Sequence, residues 1–156
     1  MSPAVFRRTE FLAASLDFGS TQVDLADYAT TGVRAIAIGP SGIGKTNAGL
    51  LVAEQLALQG WLAVLMDPEG EIGELYDPVL RTPDALRAHL VERRDPPIVV
   101  VPVRDAAEFL PFGQVVMEAA DAVRQPIFLL LDEGQIFSTS RRKGQHDILG
   151  QASDLV

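Results

Sequence analysis

Four uninterrupted apolar runs divide the chain, and each has the length of a buried β-strand. They are VRAIAI (33–38), LAVLM (62–66), IVVV (98–101) and IFLLL (127–131). The runs are rich in leucine or β-branched residues and do not alternate with polar positions, which is typical of parallel strands covered by helices on both faces. The pattern therefore predicts four strands of a mostly parallel sheet.

Helical patterns lie between these runs. The first covers about residues 45–59 and stops at Gly60, a favourable residue just past a helix end. The second follows Thr82-Pro83-Asp84, which combines a cap residue, a proline at the first helical position and an acid near the positive end of the helix dipole. It continues to Asp95-Pro96-Pro97, and a third helix covers about 113–124. Strands that alternate with helices predict an α/β fold.

The first thirty residues are less regular. The pairs Val5-Phe6 and Phe11-Leu12 and the segment Val23-Asp24-Leu25 are candidates for short strands that cover the edge of the sheet. We therefore divide the chain into an N-terminal edge segment, residues 1–30, and a core, residues 31–156.

Composition narrows the class of protein. The chain has 156 residues, of which 47% are hydrophobic and 22% charged, so it has enough apolar sequence for one globular domain. A net charge of −8 argues against one subunit holding a nucleic-acid backbone by itself, although a ring of subunits can gather sparse basic loops. There is no cysteine, which excludes disulfides and thiolate metal sites. No apolar run approaches the roughly 18 residues of a membrane span, so we expect a cytoplasmic protein without a membrane partner.

The segment GPSGIGKT (39–46) carries the clearest chemistry. It matches G-x-x-x-x-G-K-[ST], with a predicted strand before it and a predicted helix after it, as a phosphate-binding loop requires. Loop N–H groups and the helix dipole attract phosphate oxygens, Lys45 bridges the outer phosphates, and the Thr46 hydroxyl can bind Mg²⁺. We predict ATP and Mg²⁺ as ligands. The predicted nucleotide-binding residues are Gly39, Pro40, Ser41, Gly42, Ile43, Gly44, Lys45, Thr46 and Asn47.

Two further acidic segments follow predicted strands. After IFLLL come Asp132, predicted to support the Mg²⁺ together with Thr46, and Glu133, predicted to activate water as a general base beside the catalytic Lys45. Glu133 would favour hydrolysis over phosphoryl transfer to a second substrate; the alternative is an acid that only caps or solvates the turn. After LAVLM, the segment DPEGE (67–71) holds three carboxylates, whose spacing around Pro68 and Gly70 favours a turn over a metal cluster.

Together, GPSGIGKTNAGLLVAEQLALQGWLAVLMDPEGE and PIFLLLDEGQIF resemble the HerA/FtsK-type ATPase core, over about residues 20–156. Gly134 stands where that family commonly has alanine. The resemblance implies a three-layer P-loop sandwich of the RecA-like, additional-strand class. It also implies an ATP-hydrolysing motor that assembles as a homo-oligomeric ring, commonly a hexamer, and translocates DNA in the manner of a helicase. In such a motor Gln135 would sense the state of the nucleotide.

The family also has a sensor strand and an arginine beyond the second acidic motif, and the sequence has no counterpart of either. An apolar helical face over His146 to Val156 stops without a terminating signal, so we expect a fragment of a longer protein, or else a reduced homologue. We expect a vacant slot in the centre of its sheet. Two other functions stay open: nucleotide binding without hydrolysis, and a small P-loop kinase with Arg141-Arg142-Lys143 as a lid. His89 and His146 are expected at the surface.

Overall fold

The computed structural model describes residues 14–28, 33–123 and 126–134. The elements in chain order are β1 (Ser15–Asp17), β2 (Gln22–Asp24), α1 (Lys45–Leu58), β3 (Leu62–Asp67), α2 (Pro83–Glu92), β4 (Ile98–Pro102), α3 (Ala106–Val123) and β5 (Ile127–Leu131). Short 3₁₀ turns lie at Leu25–Tyr28 and Ile72–Glu74.

Three of the four predicted strands form one parallel sheet in the order β4-β3-β5. Val64 of β3 lies opposite Val99 of β4 on one side and opposite Leu129 of β5 on the other. Every residue of β3 is buried, as expected for a central strand with helices on both faces. The α/β class predicted from the sequence is confirmed.

The predicted strand at 33–38 is wrong. Residues 33–38 belong to no strand, and the side chains of Ile36 and Ile38 are 85% and 89% exposed. An apolar run becomes a strand only where neighbouring backbone can pair with its N–H and C=O groups. No strand of the described chain pairs with this segment.

The two faces of the sheet are covered by different helices. Alternate residues of the strands pack with α2 and α3 in the larger core, which includes Val64, Leu86, Val101 and Phe109. The residues between them face α1, where Leu50 and Ala53 pack with Ala63, Leu65 and Leu130. Within the described part of the chain this arrangement gives three layers, with one helix on one face and two on the other face of three parallel strands.

Local capping explains where α2 and α3 begin. The Thr82 hydroxyl accepts a hydrogen bond from the N–H of Ala85 at 3.2 Å, as the cap signal predicted for α2. For α3, Asp105 accepts from the N–H of Glu108 at 2.9 Å, so the helix begins seven residues before the predicted position 113. The sequence did not predict this earlier start because the helix contains Pro111, and proline is unfavourable in a helix interior.

The N-terminal hairpin, β1 with β2, is held by α1. Gln59 accepts from the N–H of Ser15 and donates to its carbonyl, at 3.0 and 2.9 Å. Gln55 makes the same pair of bonds with Asp17, at 2.7 and 2.8 Å. The predicted short strand near 23–25 is present as β2 (Gln22–Asp24), and its partner β1 is hydrogen-bonded by Gln55 of α1 and by Gln59 at the end of that helix.

Some predictions fall outside the described residues: the pairs at 5–6 and 11–12, Gln135, the basic segment 141–143 and the pattern 146–156, which includes His146. The expectation for His89 is wrong, because its side chain is buried and its Nε2 lies 2.9 Å from the carbonyl oxygen of Pro96. Within the described ranges, no helix combines the length and hydropathy that crossing a bilayer requires.

Candidate phosphate-binding site

The loop before α1 depends on two glycines with left-handed backbone. Gly42 has φ +78° and Gly44 has φ +98°, and in neither case would an added Cβ meet a neighbour within 4 Å. The backbone conformation, not space, therefore requires glycine at both positions. Gly44 is the N-cap of α1, and no side chain of the described residues caps this helix, so its N-terminus keeps the donors that bind anions in phosphate loops.

Lys45 closes the loop on itself. Its Nζ donates to the carbonyl oxygens of Gly39 at 2.9 Å and Pro40 at 3.0 Å. The ammonium is therefore already held over the loop, among oxygen acceptors of the kind that a phosphate presents. A phosphate oxygen could take the place of either carbonyl without a large movement of the side chain.

The predicted magnesium pair is brought together by the fold. The Thr46 hydroxyl donates to Oδ1 of Asp132 at 3.0 Å, although the two residues are 86 positions apart in sequence. The N–H of Asp132 bonds the carbonyl of Met66 at 3.4 Å, which fixes Asp132 at the carboxyl end of the sheet.

This donor set fits Mg²⁺, because that ion takes oxygen ligands and usually keeps waters and phosphates beside one or two protein groups. Among the residues that the structure describes, no cluster of three or more metal-ligating side chains forms a dedicated cage.

Glu133 directly follows Asp132 and has a left-handed backbone, with φ 51°. Such a conformation is unfavourable for a residue with a Cβ, and in proteins it occurs disproportionately at functional sites. The chain therefore turns sharply at the position predicted to supply the general base. Gln135 lies beyond the described residues.

The remaining predicted binding residues occupy the loop and the first turn of α1. Ile43 donates its N–H to the carbonyl of Pro40 at 3.4 Å and leaves its side chain 64% exposed. Ser41 and Asn47 are also exposed. The loop is therefore open to solvent at these side chains.

Of the three carboxylates of residues 67–71, one holds a turn and two are exposed. Asp67 is 2% exposed, and its two carboxylate oxygens accept from the N–H groups of Gly70 and Gly73, each at 2.8 Å. Both strong acceptors of Asp67 are thus used to hold the turn, as the sequence favoured. Glu69 and Glu71, in contrast, are exposed.

A separate cavity of about 650 Å³ lies at the carboxyl ends of β3 and β4. Its polar lining includes Asp67, Glu69, Arg81, Arg104 and Glu108, and none of residues 39–46 takes part. Arg104 is bound by Glu108, and this hydrogen bonding lowers the pKa of the Glu108 carboxyl and raises the pKa of the guanidinium. The cavity is therefore distinct from the phosphate loop, and much of its charge is internally compensated.

Sequence reasoning missed Gly49. A Cβ at this position would lie 2.6 Å from Cδ1 of Leu130, so the Leu130 side chain occupies the space that a side chain on Gly49 would need. One feature of the sequence could have pointed to this position. Glycine is less favourable than alanine in a helix interior, yet Gly49 lies inside the predicted helix, one turn after Thr46.

Comparison with protein-family models, with curated proteins and with solved structures gave no match. The resemblance to HerA/FtsK-type ATPases therefore depends on the residues of the two motifs alone.

Proposed function

We propose that this chain is the ATP-binding and ATP-hydrolysing module of a HerA/FtsK-like motor, a DNA translocase or helicase. The observation that carries the nucleotide part is the hydrogen bond between Thr46 and Asp132. A phosphate-loop hydroxyl beside a carboxylate from a separate strand is the combination that Mg²⁺–nucleotide binding requires. The motor part is supported by the DPEGE turn and the DEGQIF segment of the sequence.

In this proposal each group of the chain has a separate role in binding or hydrolysis. The N–H groups of residues 39–47 bind the phosphates, and Lys45 moves from the carbonyls of Gly39 and Pro40 to the outer phosphate oxygens. Mg²⁺, held by Thr46 and Asp132, would supply positive charge against the phosphates. Glu133 accepts the proton of the attacking water, as a general base. Assembly as a homo-oligomeric hexamer, action on DNA and a cytoplasmic location belong to the same proposal.

One observation favours a second candidate, nucleotide binding without hydrolysis. Residues 33–38 lead directly into the phosphate loop, yet they are unpaired in the described chain and expose Ile36 and Ile38. Catalysis needs groups held to within a fraction of an ångström, whereas binding tolerates a looser loop. A loop without a sheet strand behind it suits binding better than turnover.

The test is the effect of Glu133→Gln on Mg²⁺-dependent phosphate release and on ATP binding measured by calorimetry. We expect turnover to fall by a factor of about 10² or more, as for loss of a general base, while ATP binding persists. The matched control is Glu69→Gln, which removes an exposed carboxylate after the neighbouring strand and should leave both quantities unchanged. Binding without turnover in the unsubstituted chain would select the second candidate, and absence of binding would reject both.

A further inference from the structure

The contact between α1 and β5 is unusually close at Gly49. An added Cβ would lie 2.6 Å from Cδ1, 3.0 Å from Cδ2 and 3.4 Å from Cγ of Leu130. Gly49 has no left-handed backbone and lies inside a helix, so conformational freedom does not explain the glycine. Glycine weakens a helix interior by about 1 kcal/mol relative to alanine. What it provides here is space.

The register connects this contact to the proposed magnesium pair. Gly49 follows Thr46 by three residues, which places the two on the same face of α1. Leu130 lies in β5 and precedes Asp132, the first residue after the strand, by two positions, and both side chains reach α1. The contact of Gly49 with Leu130 and the bond from Thr46 to Asp132 are thus successive points along one helix–strand interface.

The distances show how sensitive this interface is. Carbon atoms in contact prefer a separation of about 3.5–4.0 Å, so with a Cβ at Gly49 either the Leu130 side chain or α1 must be displaced by about 1 Å. The bond from Thr46 to Asp132 is 3.0 Å long, and a displacement of α1 by this amount would take it beyond hydrogen-bonding distance. Leu130 is partly buried and packs against the cluster that contains Leu50 and Leu65, so its side chain is restrained on that side.

We infer that Gly49 is a positioning residue for the phosphate site: it lets α1 lie close enough to β5 for Thr46 to reach Asp132. This inference rests on the proposed function for its consequence, the assembly of the magnesium ligands, but its geometry is independent of any nucleotide. Gly49 itself contacts neither phosphate nor metal in this scheme. Its substitution should therefore affect the Mg²⁺-dependent part of binding.

The first experiment measures ATP affinity with Mg²⁺ and with a chelator in its place. Gly49→Ala should weaken binding with Mg²⁺ by about tenfold or more, as expected for ligands misplaced by about 1 Å, and change binding without Mg²⁺ far less. Leu130→Val removes both Cδ atoms. The double variant Gly49→Ala/Leu130→Val should therefore recover the Mg²⁺ effect, by which we mean the gain in ATP affinity on adding Mg²⁺. Ala48→Leu adds a larger side chain at the neighbouring exposed position and serves as the control.

The second experiment needs no nucleotide. The coupling between Thr46 and Asp132 is obtained from the stabilities of Thr46→Val, Asp132→Asn and their combination, first with Gly49 retained and then in the Gly49→Ala background. We expect a coupling where Gly49 is retained, its loss in the Gly49→Ala background and its return when Leu130→Val is added. Leu130→Phe crowds the same interface from the other side and should also abolish the coupling, which keeps the test valid if Gly49→Ala does not fold.

The outcomes separate the two proposals. Absence of ATP binding in the unsubstituted chain would reject the proposed function, and the coupling measurement would still decide the role of Gly49. A coupling and a Mg²⁺ effect that both survive Gly49→Ala would overturn the inference. Loss without recovery in the double variant would also overturn it, because the effect would then not come from contact with Leu130.

Discussion

The β3–β4 side of the molecule and the phosphate-loop side are built from equally apolar sequence but differ in burial. Val99, Val100 and Val101 of β4 are fully buried beneath helices or neighbouring strands. On the other side, β5 is only partly buried along its whole length, and the segment 33–38 is exposed. Among the residues that the structure describes, the apolar side chains of β3 and β4 are largely covered, whereas those of β5 are covered in part and those of residues 33–38 are exposed.

This difference in burial indicates that one region contributes most of the stability and that the other carries the candidate binding site. Hydrophobic stabilisation follows the apolar area removed from water, so most of it must come from the region of β3, β4, α2 and α3. The candidate site lies at the other side, where Lys45, Thr46 and Asp132 are only partly buried. Substitutions in the two regions should therefore have distinct effects, on stability in the first and on ligand binding in the second.

The largest expected effect is on stability. Phe109→Ala removes a side chain that is 0% exposed in the larger core and should lower the free energy of unfolding by about 3–5 kcal/mol. Ile38→Ala removes a side chain that is almost fully exposed, and its effect should stay within about 0.5 kcal/mol. Denaturant unfolding of both variants measures the difference between their free energies of unfolding.

Equal effects of the two substitutions would contradict the comparison, because they would mean that residues 33–38 are buried in the protein as it exists in solution. Phe109→Leu provides a graded control: it keeps the site apolar and should lower stability by less than Phe109→Ala.

A smaller effect distinguishes two aspartates that follow adjacent strands. Asp67→Ala leaves the N–H groups of Gly70 and Gly73 without their acceptor and should lower stability by about 1–3 kcal/mol, with Mg²⁺-dependent ATP binding retained. Asp132→Ala should have the opposite profile, a small change in stability and loss of the Mg²⁺ effect. Unfolding and calorimetry on both variants test this. An Asp67 variant that loses only the Mg²⁺ effect would place Asp67 in the site.

The sequence predicted the elements whose determinants are local. The runs at 62–66, 98–101 and 127–131 became β3, β4 and β5, and Thr82 capped α2 as expected. The run at 33–38 has the same pattern and failed, because pairing depends on a neighbouring strand that the pattern of one segment cannot reveal.

For the site, the loop and its conformation could be predicted, since G-x-x-x-x-G-K-[ST] constrains backbone and side chains together. The meeting of Thr46 with Asp132 was predicted by placing both after strands; the structure shows the contact, although the strand predicted before Thr46 is absent from residues 33–38. The importance of Gly49 could not be predicted, because it depends on the distance between a helix and a strand. Nor could Asp67 be assigned with certainty to the turn before its two N–H donors were located.

The smallest expected effect concerns the link between the two regions. Tyr76, beyond the turn after β3, donates its hydroxyl hydrogen to Glu54 of α1. Burial, followed by this hydrogen bond and the negative charge of Glu54, raises the pKa of Tyr76 to about 12 from its ordinary value of 10. The neutral phenol is therefore favoured in the folded state. Its contribution to stability is complete below pH 10 and is lost as the pH rises from 10 to about 12.

Ultraviolet titration of tyrosinate tests this link, because the chain has only two tyrosines, Tyr28 and Tyr76. Tyr28→Phe leaves a single transition, which we expect near pH 12. Adding Glu54→Gln should move it to lower pH, since the charge and the carboxylate acceptor are both removed. A transition near pH 10 that does not respond to Glu54 would show that α1 is not joined to the turn after β3 through this pair. Among the described residues, the phosphate-loop helix would then be held by its packing on the sheet and by the bond from Thr46 to Asp132.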